Sequence, residues 1–68
     1  MFVVMEMQTD AQGTLGTFVW SFADRAQAEA KYHSVLAAAA VSALPLHGAV
    51  LLRGDGVQLA YQSYAHGE

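Results

Sequence analysis

The chain has 68 residues, no cysteine and a formal charge of -3. Apolar residues make up 54% and charged residues 13%, a composition that demands burial and excludes a disordered chain. Lys plus Arg is 3 against 6 Asp plus Glu, which excludes a phosphate-neutralising nucleic-acid surface; without thiols there is no disulfide, thiolate metal site or cysteine nucleophile.

Residues 2–9 alternate Val3, Met5 and Met7 on one side with Val4, Glu6 and Gln8 on the other, and read as a strand. Asp10-Ala11-Gln12-Gly13 is a turn, with Gly13 able to take positive φ. Residues 14–22 form a second strand with Leu15, Thr17 and Val19 on one face and Gly16, Phe18, Trp20 and Phe22 on the other; the short connection makes a hairpin. Asp24 is an N-cap, with Gln27 three residues on completing a capping-box pattern, and residues 25–43 are strong helix formers. Their apolar stripe is Ala28, Tyr32, Val35, Leu36, Ala39 and Ala43, and Arg25, Glu29 and His33 mark a solvated side. Beyond Val35 the helix is apolar nearly all round, which predicts cover on two sides. Pro45 stops it. Residues 46–53 are a third strand, Gly54-Asp55-Gly56 a tight turn and 57–64 a fourth strand. Residues 65–68 read as a frayed tail.

The fold class is α+β: ββαββ in one domain over 1–68, a four-stranded antiparallel sheet with one helix on one face. A single helix covers one face only, so the other should be polar. Here the strands are apolar on both faces, the third most of all. A chain this short buries only about 60% of its unfolded surface and needs a staple. With disulfides excluded, a homo-oligomer is expected. Phe18, Ala37, Ala38, Val41 and Leu51 are its candidate interface residues, the alanines because they let another backbone approach closely.

No signal peptide is read in Met1-Phe2-Val3-Val4-Met5-Glu6, which has no basic start. Ser34 to Leu52 lacks charge, but Pro45, His47, Gly48 and the alanine run make it a poor membrane span. The expectation is a cytoplasmic protein with no membrane and no nucleic-acid partner.

Catalytic constellations are absent from the pattern. His33, His47 and His66 have no metal-ligand spacing and read as rim residues, so no metal or other cofactor is expected. Asp24 is spent on a cap and Asp10 and Asp55 on turns; Glu6 alone sits mid-strand without a local structural task. Gly54-Asp55-Gly56 lacks the lysine and following helix of a phosphate loop. Arg53-Gly54-Asp55 spells an adhesion tripeptide, which chance alone explains. Trp20 and Tyr61 are candidate ring-stacking residues, and Arg25 and Arg53 are cations that symmetry could bring onto an anion.

Phe2-Val3-Val4-Met5-Glu6-Met7-Gln8-Thr9 with Asp10-x-x-Gly13-Thr14, Ala28-Glu29-Ala30-Lys31-Tyr32-His33 followed by Leu36 to Ser42, and Leu46-His47-x-Ala49-Val50-Leu51 together resemble a group of small uncharacterised proteins of gut Firmicutes genomes and their prophages. The resemblance spans nearly the whole chain and carries no functional residue across. It implies a bacterial or phage-type accessory protein. The expectation is therefore a non-enzymatic homo-oligomeric binding protein that contacts itself and a host protein. The alternative is a protein that sequesters a nucleotide-like small molecule in pockets between subunits.

Overall fold

The computed structural model describes residues 1–66. Strand β1 (Phe2–Thr9) and strand β2 (Leu15–Phe22) form the first hairpin. Asp10 makes the turn: its carboxylate accepts from the backbone N–H groups of Gln12 and Thr14, each at 2.9 Å. Gly13 has φ 84°, a conformation that costs a glycine almost nothing.

Helix α1 (Arg25–Ala40) follows. Asp24 caps it, accepting from the Ala26 N–H at 2.9 Å, and Arg25 pairs with Glu29 one turn on at 2.9 Å. The helix ends three residues earlier than its composition suggests. Val41, at φ -110° and ψ 8°, closes a tight turn in which the Val41 and Ser42 amides bond to Ala38 and Ala39 carbonyls. Ser42 then accepts from the Leu44 N–H through its hydroxyl at 3.0 Å, a local bond that competes with helix continuation. Ala43 therefore lies beyond the helix and is exposed.

Strand β3 (Leu46–Arg53) and strand β4 (Gln58–Ala65) form the second hairpin. Gly56 takes φ 93°, and the Arg53 N–H reaches the Val57 carbonyl at 2.8 Å. β4 is displaced by one residue from the expected 57–64. The displacement accompanies a bulge: Leu51 faces Ala60, but Leu52 faces Gln58. Leu59 and Ala60 consequently both pack against the core, breaking the expected alternation. Nor is the start of the tail frayed. Ala65 belongs to β4, the His66 N–H donates to the Pro45 carbonyl at 2.8 Å, and the His66 ring meets the Ala39 carbonyl at 2.8 Å. Gly67 and Glu68 lie outside the described residues.

The strands form one antiparallel sheet in the order β2-β1-β3-β4, giving the expected ββαββ architecture. The registers assign the faces. Val4 stands between Trp20 and Leu51, so these three point to the helix; Met5 stands between Val19 and Val50 on the open side. Ala28, Tyr32 and Val35 of α1 close over Val4, Ala49 and Leu51, with Phe2, Trp20, Phe22 and Leu36 packed around them. This core is thin. Three of its seven buried apolar residues (Ala28, Ala39 and Ala49) are alanine, and Val4 is the largest side chain wholly removed from water. Each alanine contributes little more than one methyl of transfer free energy, so α1 and one sheet face make a modest core.

Candidate functional site

The open sheet face, opposite α1, is left uncovered by any described element of the chain. Alternation places Val3, Met5 and Met7 of β1 on it, flanked by Leu15 and Val19 of β2, Leu46, Val50 and Leu52 of β3, and Tyr61 of β4. Thr9, Thr17, Ser21 and Ser63 share the face, and none of its described side chains is charged. Leu15, Val19, Leu46 and Tyr61 are exposed, at 61%, 58%, 49% and 59%. At one end the face dips into a depression of about 210 Å³ lined by Met7, Leu15, Leu46, Gly48, Tyr61 and Ser63. Gly48 creates the dip. A methyl at that position would lie 2.7 Å from the Ser63 Cβ and 2.8 Å from the Gln62 carbonyl oxygen, so β3 and β4 approach closely only because residue 48 has no side chain.

A second polar cluster lies on the helix side, past the end of the apolar core. Glu6 faces Ala49 of β3, one pleat from His47, which itself faces Gln8. The register brings the three side chains together. His47 Nε2 donates to Glu6 Oε2 at 2.5 Å, and Gln8 donates to the same oxygen at 3.0 Å. Both partners are largely removed from water, their side chains being 6% and 13% exposed. Burial pushes the Glu6 carboxyl up, but the bonds from His47 and Gln8 and the charges of His47 and Lys31 outweigh it and hold Glu6 below the ordinary carboxylate range. His47 Nδ1 is buried with no partner among the described residues. This histidine is therefore not at the rim, as the sequence suggests, but is one of the interior residues.

The pair locks two strands, with Gln8 as the third member of the cluster. Among the described residues no three histidine or carboxylate side chains gather as a metal site would require.

The remaining candidates scatter. Trp20 is half-buried on the helix face of β2, stacked at 6.2 Å on Phe18, with the Lys31 ammonium 4.1 Å from its ring centre. Tyr61 is on the opposite face of the sheet, so it cannot share a ring-stacking site with Trp20 in one chain. Arg25 is held by Glu29. Arg53 is held by Asp55, which accepts from the guanidinium at 2.7 to 3.1 Å. Those bonds, with one from the Val57 N–H, bring the exposed Asp55 carboxyl down to about 2 and raise Arg53. The arginine of the Arg53-Gly54-Asp55 turn is thus folded onto its own aspartate.

Among the candidate interface residues, Phe18 is 49% and Val41 85% exposed, and Ala37 and Ala38 are exposed on the outer side of α1. Leu51 is a correction: alternation puts it under the helix, 3% exposed in the core, where it has no surface to give a second subunit. The residues missed by sequence reasoning are Met5, Met7, Leu46 and Val50 of the open face, and the Glu6–His47 pair. Their parity along β1 and β3 carried the signal; the β1–β3 pairing that joins them is not visible in sequence.

No family model, curated protein or solved structure matches the chain. Among the described residues no helix is long and apolar enough to cross a membrane.

Proposed function

We propose that this chain is a non-enzymatic, homo-oligomeric binding protein of the phage-accessory type, acting through protein–protein contact with its open sheet face as the buried surface. The observation that carries the reading is the uncharged, largely apolar character of that face, opposite a core in which three of seven buried apolar residues are alanine. A small domain with so little interior gains its missing burial from a second copy, each square ångström of apolar surface covered contributing about 25 cal/mol. Sheets pack face to face at about 10 Å, and an apolar face without charge meets its own copy without like-charge repulsion. The resemblance to small prophage proteins supports the accessory role.

The test is the mass in solution by light scattering at micromolar concentration, for the native chain and for Tyr61→Glu. The native chain should have at least twice the mass of one 7.3 kDa chain. The variant, with a carboxylate on the β4 side of the proposed contact, should be smaller. A native monomer, or a variant of unchanged mass, overturns the reading.

The alternative is sequestration of a nucleotide-like molecule, and the 210 Å³ depression favours it, because a second copy laid over the face would roof it. A ligand at about 100 times its dissociation constant adds about 2.7 kcal/mol. A thermal shift with any member of a nucleotide panel, abolished by Gly48→Ser, would select this reading.

A further inference from the structure

The outer edge of β2 is a second surface without a partner among the described residues of the chain. β2 stands at the end of the sheet and pairs with β1 alone. Its residues are Leu-Gly-Thr-Phe-Val-Trp-Ser-Phe: eight positions with no charge and no proline. Proteins blunt an exposed edge with lysine, proline, a bulge or a covering element. The opposite edge, β4, has a bulge where its register slips beside Leu51 and Leu52. β2 has an unbroken register with β1 from Leu15 to Phe22 and none of the other devices. Leu15, Phe18 and Val19, three of the eight exposed large apolar side chains among the described residues, stand on this one strand, on both of its faces. Left uncovered, such a segment is a template for open-ended polymerisation.

We infer that β2 pairs antiparallel with β2 of a second copy across a two-fold axis, joining two four-stranded sheets into one of eight strands. Symmetry fixes the register. Residues directly opposite share a face, so both helices stay on one side only if the axis passes through a residue and not between two. Placing it at Val19 sets Phe18 against Trp20 of the second copy, Thr17 against Ser21, and Gly16 against Phe22. Aromatic then meets aromatic, hydroxyl meets hydroxyl, and the large ring falls over the glycine; such cross-strand pairs are the unit of sheet stabilisation. The absence of charge matters equally. Any charged residue near the axis would face its own copy, and in an acidic chain of net charge -3 the β2 edge is a place where two copies meet without that penalty. A standard interface takes about 800 Å² from each partner, roughly a fifth of this chain's 4167 Å². The backbone ladder supplies part of that, and the half-exposed Phe18–Trp20 stack lies where the rest is needed.

Disulfide trapping tests the register, since the native chain has no cysteine. The variants are made in Tyr61→Glu, so that open-face contact is removed and the two proposals fail separately. Under mild oxidation Val19→Cys should form a reducible dimer at least about ten times faster than Gln62→Cys on the far edge. Thr17→Cys and Ser21→Cys should cross-link when mixed and not when alone. The Tyr61→Glu parent should have twice the mass of one 7.3 kDa chain. Val19→Cys cross-linking no faster than Gln62→Cys overturns the inference, as does a monomeric parent. Either result leaves the open-face reading to its own mass measurement.

Discussion

Removing the Glu6 carboxylate should destabilise the protein in proportion to what it leaves behind. In Glu6→Ala the His47 Nε2–H, inside a side chain only 6% exposed, has lost its acceptor at 2.5 Å, and its Nδ1 has no partner either. A buried polar group stripped of its partner costs about 1–3 kcal/mol. For a chain of this length total stability is about 3–10 kcal/mol, so the loss is a large share. Glu6→Gln retains an oxygen acceptor and should lose less. It should also lose an acid-sensitive part of the stability. Because the folded carboxyl titrates below the unfolded value of 4.5, its contribution is complete above that value. It then fades as the pH falls through the lower folded value. Asp55 contributes in a lower window, between 3.8 and about 2, and is unaffected. Urea unfolding of the native chain and both variants between pH 7 and pH 3 measures all of this. Glu6→Ala within about 0.5 kcal/mol of native at pH 7, or Glu6→Gln with the native slope just below pH 4.5, would refute the reasoning.

Gly48→Ala places a methyl 2.7 Å from Ser63 and 2.8 Å from a backbone oxygen; overpacking of this kind costs about 1–3 kcal/mol, read as a lowered urea midpoint. Trp20→Ala empties the space beneath Lys31 and beside Phe22 and should cost about 3 kcal/mol, the low end for a truncated core tryptophan, as circular dichroism of the melt will show. Ala38→Glu should leave mass and melting temperature unchanged if the assembly uses the open face and the β2 edge, because Ala38 is on the outer side of α1. A collapse in either quantity would move the contact to the alanine run.

The order of elements was legible because each is signalled locally. Asp10 and Gly13 announce the first turn, Asp24 the helix start, Pro45 its stop, and Asp55-Gly56 the second turn. Most errors arose where a non-local pairing decides; the helix end is the exception, set by a local bond. Val41 to Ala43 have helical composition, but Ser42 bonds its own backbone instead. The bulge beside Leu52 turns Leu59 inward against the alternation. Leu51 looked available because β3 is apolar on both faces, and only the position of α1 says which face is inside. The Glu6–His47 pair was half legible: an acid mid-strand with no task demands a partner, but its partner stands on a strand that only the β1–β3 register brings near.

The sheet order also governs how the chain assembles itself in time. Each hairpin is local, β1 with β2 and β3 with β4, and hairpins of this kind form in about 1–10 μs. The central seam is different: it joins Phe2 to Arg53 and Met5 to Val50, across the helix and both of its connections. That closure carries most of the loop entropy, so the seam sets the folding rate. Met5→Ala or Val50→Ala should therefore slow refolding, whereas changes in the outer strands β2 and β4 should chiefly hasten unfolding.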